Sequence, residues 1–275
     1  MSYPSKQLLC VTGLPRAGST LLCQLLSHHP AIHSPGHSSP LLQALNHLRH
    51  GLSDNSFLLA QLDTDFDQVY ARLENAFRGF FQGWFAETDR PVVVDKNRGW
   101  LGQLELATQM APDCRMLVCV RDLGQIYGSI EARHRKTLLL DFPDHLAHLS
   151  SYDRADKLFA KDGVIGSPLA ALRSVQDYSA EQQQRLYYVV FEHLMQEPIK
   201  VLADIHHWLG LESVAFDPNQ LNSYPHESDS HYRFKYPHRT HTAILPPRQH
   251  EIPARIVADI RKNYEWYFNT FYPAR

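Results

Sequence analysis

The sequence predicts a three-layer α/β fold in which a central parallel sheet is flanked by helices. Short apolar runs alternate with longer segments of helical periodicity, which is typical of repeated βα units. Several apolar runs lack polar alternation, as strands covered on both faces do. The 275 residues, 44% hydrophobic and 20% charged, suit one globular domain spanning residues 1–275.

The elements follow from these patterns in chain order. Strands are predicted where apolar runs are rich in Val, Leu or aromatic residues, at 7–12, 91–95, 115–120 and 186–191. Helices are predicted at 19–27, 66–86, 101–110, 123–135, 168–180, 193–208 and 252–268. Residues 34–40 have turn chemistry, and 217–247 predict a long functional or disordered loop.

Bulk composition narrows the class of partner. The net charge of −2 argues against a general nucleic-acid binder but permits a small anionic ligand. The N-terminus lacks a signal peptide, and no apolar run is long enough to cross a bilayer. The four cysteines form no CxxC pair and are predicted to be buried thiols. A cytoplasmic location is expected, with no membrane partner and no metal site.

The first predicted strand leads directly into a glycine-bearing loop and then an apolar helix. Such a turn directs backbone N–H groups and the positive end of the helix at one point, which suits an anion. The spacing Gly13-x4-Gly18 resembles a Walker A loop, but Ser19 replaces the required Lys. The cation lies within the loop at Arg16, whose guanidinium can bind a phosphate or sulfonate oxygen.

The run from Gly13 to Leu22 resembles the 5'-phosphosulfate-binding loop of sulfotransferases that use 3'-phosphoadenosine 5'-phosphosulfate (PAPS). It is most similar to bacterial sulfotransferases related to tyrosylprotein sulfotransferases, which carry Arg where cytosolic relatives carry Lys. The resemblance implies a P-loop-type fold, PAPS as co-substrate and 3',5'-adenosine bisphosphate (PAP) as product. The implied 5'-phosphosulfate ligands are Arg16, Ala17, Gly18, Ser19 and Thr20.

A second anion site is predicted after the strand at 115–120. Arg121 at the end of that strand and Ser129 in the next helix can face one pocket, and the family uses this pair for the 3'-phosphate. Arg133, one turn further, matches another cofactor-binding Arg of the tyrosylprotein enzymes. Phe191 stands where the family often has Tyr, so it keeps the ring and loses a hydrogen bond. The resemblance places the late cofactor-covering loop at 231–241, with Lys235 and Arg239 as candidate ligands.

Four residues are candidates for the chemical step, and one of them is Arg16 of the glycine-bearing loop. Lys96 matches the catalytic Lys of the tyrosylprotein enzymes in its distance from Arg16, and is predicted to contact the bridging oxygen and the sulfonate. His37 stands where those enzymes place a catalytic Glu. Its imidazole, with an ordinary pKa of about 6.5, can accept the acceptor's proton. Asp95 is the second candidate for the base, and could instead orient Lys96 or the acceptor hydroxyl.

The resemblance therefore implies in-line transfer of a sulfonate from PAPS to a hydroxyl. A peptide tyrosine, a phenol, a sugar and a lipid alcohol all stay open as acceptors, and the oligomeric state is not predicted. Two alternatives also stay open. One is a P-loop kinase dependent on ATP and Mg²⁺, which the missing Lys disfavours; the other is a non-catalytic nucleotide-binding protein.

Overall fold

The central sheet has five parallel strands in the order β2-β3-β1-β4-β5. The computed structural model describes residues 6–136, 146, 148–223, 227–228, 237–238 and 240–273. Helices flank the sheet, which confirms the predicted three-layer α/β class. The strands are β1 (Gln7–Gly13), β2 (Ile32–His33), β3 (Val92–Lys96), β4 (Arg115–Val120) and β5 (Leu186–Val190), and a separate two-stranded antiparallel pair is formed by β6 (Glu227–Ser228) and β7 (Pro237–His238).

The four predicted strands are confirmed to within one residue at each end. The edge strand β2 was not predicted because two residues are too short to produce a periodic pattern. Its residues pair with Val92 and Val93 of β3. Every residue of β3 is buried, as are all but the first of β4, because helices cover both faces of the sheet.

The helices vary from one to five turns. Between β1 and β4 lie α1 (Ser19–Leu26), α2 (Leu41–Ser53), α3 (Ser56–Thr64), α4 (Phe66–Trp84), a 3₁₀ turn (Arg98–Gly102) and α5 (Leu104–Met110). Between β4 and β5 lie α6 (Leu123–Lys136), α7 (Ser151–Phe159), α8 (Gly166–Ser174), a 3₁₀ turn (Val175–Asp177) and α9 (Ala180–Gln183). After β5 come α10 (Phe191–Gln196), α11 (Pro198–Leu209), α12 (Ala254–Asn263) and α13 (Glu265–Phe271).

Proline explains two of the differences between the predicted and the observed helices. The single helix predicted at 193–208 is two helices, because Pro198 lacks a backbone N–H and begins α11 at its first turn. The helix predicted at 252–268 begins only after Pro253 and is interrupted at Tyr264. Helices α2, α3, α7 and α9 were not predicted, and the helix predicted at 168–180 ends at Ser174.

The carboxyl ends of the strands meet at one edge of the sheet, where ligands bind in open α/β folds. Gly13 ends β1 with φ of 115°, and a Cβ there would lie 2.2 Å from the carbonyl oxygen of Cys119 in β4. Only glycine allows the chain to turn so close to its neighbouring strand. The loop after β1 is thereby directed to the same edge as the loops after β3 and β4.

The cysteines agree with the prediction of buried thiols. All four cysteines lie in the described part of the chain, where they are buried and form no disulfide. None of the described helices combines the length and the apolar character needed to cross a membrane.

Candidate active site

The loop between β1 and α1 adopts a left-handed backbone at two residues. Gly18 immediately precedes α1 and has φ of 86°, and a Cβ at this position would lie 2.6 Å from Cδ2 of Phe191. Arg16 also has a positive φ, 59°, the only such non-glycine residue among those described. Strain of this kind persists where the surroundings impose it, often at functional sites.

Arg121 is held from three directions at the end of β4. The Tyr267 hydroxyl accepts a hydrogen bond from the Arg121 backbone N–H (3.1 Å) and donates one to its carbonyl oxygen (2.8 Å). The Arg121 Nη1 donates to the carbonyl oxygen of Arg16 (3.0 Å), and the guanidinium lies 4.4 Å from the centroid of the Phe191 ring. The ring of Phe191 therefore supports both Gly18 and Arg121, a packing role that does not need the family's tyrosine hydroxyl.

The two predicted anion sites are contiguous. Arg16 Nε donates to the Ser129 hydroxyl of α6 at 3.3 Å, and Arg121 contacts the backbone of Arg16. The sequence placed Arg16 in one site and Ser129 in the other, whereas the structure joins them in one network.

The start of α6 is fixed by a carboxylate behind the site. Glu192 accepts hydrogen bonds from the backbone N–H of Asp122 (3.3 Å) and from the hydroxyl of Tyr272 (2.6 Å). Burial lowers the pKa of Arg121, an effect opposed by Glu192. The C-terminal aromatic residues and Glu192 thus hold a partly desolvated guanidinium at the cavity wall.

A cavity of 870 Å³ lies on this side of the loop. Its described lining contains Phe191 and Ser129 but no Asp or Glu. Four arginines line it from three parts of the chain: Arg16, Arg121, Arg133 and Arg248. We call it the arginine cavity. Four guanidinium groups in a lining that contains no described carboxylate favour binding of a polyanion.

A second cavity of 690 Å³ lies on the other side of the loop, and we call it the Lys96 cavity. It shares Arg16, Ser19 and Thr20 with the arginine cavity. Lys96 Nζ lies 3.4 Å from the Thr20 hydroxyl and donates to the carbonyl oxygen of Gly36 at 2.9 Å. A ligand group bound at this loop is therefore accessible from both cavities and lies beside Lys96.

Asp95 does not line either cavity. Successive side chains of a strand point to opposite faces, and the Asp95 carboxylate accepts a hydrogen bond from the indole N–H of Trp100 at 2.6 Å. The side chain is fully buried, and burial raises its pKa, opposed by hydrogen bonds from Ser39 and Trp100. Asp95 therefore points to the face of the sheet opposite to Lys96 and is absent from the described linings of both cavities.

His37 is exposed and is not among the residues lining the Lys96 cavity. Its loop runs along the edge of that cavity, because Ser38 and Ser39 line it and the Gly36 carbonyl contacts Lys96. The remaining predicted loop residue, Ala17, is buried beneath the loop.

Lys235 and Arg239 lie outside the described residues. The described stretch that follows contributes Arg248 and His250 to the arginine cavity, two residues that were not predicted. No local pattern distinguishes them from the other basic residues of the 217–250 region. They lie far from the phosphate loop along the chain.

Gln43 is another residue that was not predicted, and its amide has a defined orientation. Asn97 Oδ1 accepts from the Gly99 N–H (2.9 Å), so Asn97 Nδ2 donates to the Ser39 carbonyl (2.8 Å) and to Gln43 Oε1 (2.9 Å). This bond fixes the Gln43 amide with its oxygen toward Asn97 and its Nε2 turned away from Asn97. Both Gln43 and Asn97 line the Lys96 cavity.

Comparison with known proteins supports the resemblance of the sequence to sulfotransferases. The model described as "Sulfotransferase family" matches residues 9–216. The chain is similar to sulfotransferase STF9 from Mycobacterium avium, with 16% identity, a TM-score of 0.51 and coverage of 98% of this chain and 78% of that one. No curated protein sequence matches it.

Two further solved structures are similar to the chain. A sulfotransferase from Alicyclobacillus acidocaldarius has 15% identity and a TM-score of 0.48, with coverage of 78% of this chain and 88% of that one. The sulfotransferase domain from the curacin biosynthetic pathway has 18% identity and a TM-score of 0.49, with coverage of 79% and 77%. The family match over most of its length shows that this chain belongs to the sulfotransferase family of enzymes.

Proposed function

We propose that the enzyme transfers the sulfonate of PAPS, bound in the arginine cavity, to a hydroxyl of an acceptor bound in the Lys96 cavity. One observation carries the proposal: four arginines and no described carboxylate line a cavity that meets a second cavity at the phosphate loop. A nucleotide with phosphate groups at both its 3' and 5' positions matches this distribution of positive charge.

The donor roles follow from position. Arg121, Ser129 and Arg133 would hold the 3'-phosphate, and Arg16 with the 17–20 backbone would hold the 5'-phosphosulfate. Arg121 Nε supports this fit, because it is buried and has no hydrogen-bond partner among the described residues. A buried donor without a partner is costly, and a phosphate oxygen would satisfy it.

Lys96 would stabilise the charge that develops as the bond to sulfur breaks. Its ammonium lies beside Thr20 on the loop shared by the two cavities, where the bridging oxygen would sit. A fixed cation at such a place stabilises the transition state more than the ground state. The acceptor oxygen would attack the sulfur in line from the Lys96 cavity, displacing PAP without a covalent enzyme intermediate.

His37 is the proposed base of this reaction. Of the two candidates, Asp95 is fully buried and bonded to Trp100, whereas His37 lies on the loop at the edge of the Lys96 cavity. Its imidazole would accept the acceptor proton as the new O–S bond forms.

The Lys96 cavity favours a polar acceptor. Its described lining is rich in hydroxyl and amide groups and includes no aromatic ring. Aromatic side chains commonly line sites for apolar ring-bearing ligands. Among the hydroxyl acceptors that the sequence leaves open, this lining favours a polar alcohol over a tyrosine or phenol.

The test is calorimetric titration of the full chain with PAP and, separately, with ATP plus Mg²⁺. We expect PAP to bind without metal and ATP to bind more weakly. Preference for Mg-ATP would favour a kinase and overturn the proposal. PAP binding without sulfonate transfer from PAPS to any of a panel of sugars, alcohols and phenols would favour a non-catalytic nucleotide-binding protein.

A further inference from the structure

The backbone of His250 is hydrogen-bonded to a side chain of α6. Its N–H donates to Gln125 Oε1 at 3.0 Å, and its carbonyl oxygen accepts from Gln125 Nε2 at 3.3 Å. The two bonds use both ends of one side-chain amide, so they fix the position of the chain at residue 250 relative to the helix.

Gly128 allows this segment to lie directly on the helix. A Cβ at position 128 would be 2.5 Å from the His250 Cβ and 3.3 Å from Ile252. The glycine therefore provides the space in which His250 packs, one residue before Ser129. This contact and the Gln125 bonds hold the imidazole where it lines the arginine cavity.

The surroundings of this ring are electropositive. Burial lowers the pKa of His250, and the charges of Arg121, Arg16 and Arg248 lower it further. These arginines face the ring from the end of β4, from the phosphate loop and from its own segment. The groups that α6 brings closest, Gln125 and Gly128, are uncharged. The imidazole is therefore neutral at pH 7 before a ligand binds.

We propose that His250 is a donor-site residue that takes up a proton when the 3'-phosphate binds, and then donates a hydrogen bond to that phosphate. The proposal rests on the proposed function. The phosphate dianion offsets the three guanidinium charges that keep the ring neutral. The imidazole is therefore uncharged while the site is empty and becomes positively charged when the phosphate is bound. The proton comes from solvent, one per site at most.

His250 is assigned to the 3'-phosphate because of the arginine whose charge affects it most. Of the three arginine charges that lower the pKa of His250, that of Arg121 has the largest effect. Arg121 and Ser129 are the proposed 3'-phosphate ligands. His250 packs on the helical turn that carries Ser129. The transferring sulfonate would lie on the Lys96 side of the loop.

Proton uptake can be measured without turnover. PAP is titrated calorimetrically into the full-length protein at pH 7.0 in three phosphate-free buffers that differ in ionisation enthalpy. The slope of the observed enthalpy against buffer enthalpy gives the protons exchanged. Wild type should take up roughly half a proton or more per PAP beyond the His250→Asn variant. Titration of the ligand's own phosphates cancels in this difference.

Two controls isolate the cause. The His207→Asn variant changes an exposed histidine of α11 and should match wild type. Titration with 5'-AMP, which lacks the 3'-phosphate, should remove the difference between wild type and His250→Asn. Equal proton uptake in these two proteins with PAP would overturn the proposal. A difference that persists with 5'-AMP would overturn the 3'-phosphate assignment.

A second readout covers a variant that does not fold. Between pH 7 and 9 the phosphates of PAP are fully charged, since their second pKa is about 6. Under this proposal, bound PAP raises the pKa of His250. Wild-type affinity for PAP should therefore fall as the pH rises through that raised pKa, and an affinity that does not change with pH would count against the inference. Failure of wild type to bind PAP at all would instead sink the proposed function.

Discussion

The arginine cavity and the Lys96 cavity meet at the same loop but are built differently. The arginine cavity gathers four guanidinium groups and no described carboxylate. The Lys96 cavity contains Asp162 and a set of hydroxyl and amide side chains beside its cations. The first is suited to one fixed, highly charged ligand, and the second to an acceptor recognised through hydrogen bonds.

The difference shows that local sequence motifs describe the arginine cavity better than the Lys96 cavity. The donor residues Arg16, Arg121 and Ser129 lie at the ends of β1 and β4 or within the helix that follows. Beyond residues 11–20 of β1 and the phosphate loop, the Lys96 cavity is assembled from segments 38–43, 96–102 and 162–171, which share no spacing rule. Loops of this kind can vary on an unchanged scaffold and so change the acceptor.

The largest expected effect is on donor binding. Arg121→Ala removes a charge from the arginine cavity and a contact to Arg16, so PAP affinity should fall about a thousandfold, since loss of a buried charge partner costs roughly 2–5 kcal/mol. Arg115→Ala is the matched control, because this Arg is at the other end of β4, stacked 4.9 Å from the Trp208 ring centroid. Calorimetry measures both, and similar affinities in the two variants would contradict the donor assignment.

Lys96→Ala should separate chemistry from binding. Turnover should fall by about a hundredfold to a thousandfold, the usual loss when one transition-state donor is removed. PAP affinity should change little. The exposed Lys200 provides a control for removal of a lysine. If Lys96→Ala instead lost PAP binding with unchanged turnover at saturation, Lys96 would belong to the arginine cavity.

His37→Ala tests the proposed base. Turnover should fall about a hundredfold, at the lower end of general-base effects, while PAP affinity is retained. His50→Ala, on the exposed part of α2, is the control. Near-normal turnover would remove His37 from the reaction.

Gly18→Ala tests the packing shared by the loop and Phe191. The new Cβ meets the Phe191 ring and requires a left-handed backbone, so PAP affinity should fall about tenfold. Gly83→Ala is the control, because a Cβ there meets nothing within 4 Å on α4. It should leave affinity intact and raise the unfolding midpoint, as alanine favours a helix. An unchanged affinity in Gly18→Ala would mean that the loop adapts.

The smallest effect should lie in the Lys96 cavity. Gln43→Ala removes the amide that Asn97 orients, so the acceptor KM should rise about fivefold, the worth of one hydrogen bond. The PAP affinity should not change. The measurement uses the acceptor that wild type sulfonates in the panel, with Arg49→Ala on the same helix as control. A change in PAP affinity with a constant acceptor KM would place Gln43 on the wrong side of the loop.

Prediction from sequence worked where chemistry and backbone are local. The Gly13–Thr20 loop, Arg121 and Ser129 are each defined by their place next to a strand end, and the structure brings them to one edge of the sheet. Asp95 shows the limit, since its position beside Lys96 in sequence suggested a shared role. The pleat of β3 turns the two side chains to opposite faces, and Asp95 bonds to Trp100 instead.

The sequence by itself determined the parallel-sheet fold and the glycine-bearing loop proposed to bind an anion, because both arise from short-range patterns of apolar residues, glycine and arginine. Kinship with the tyrosylprotein enzymes stays a prediction. Only the tertiary structure decided that Arg16 joins Ser129, that Gln43 is oriented by Asn97, and that His250 faces Arg121. These pairs are brought together by sheet order and helix packing, and their separation along the chain carries no periodic signal.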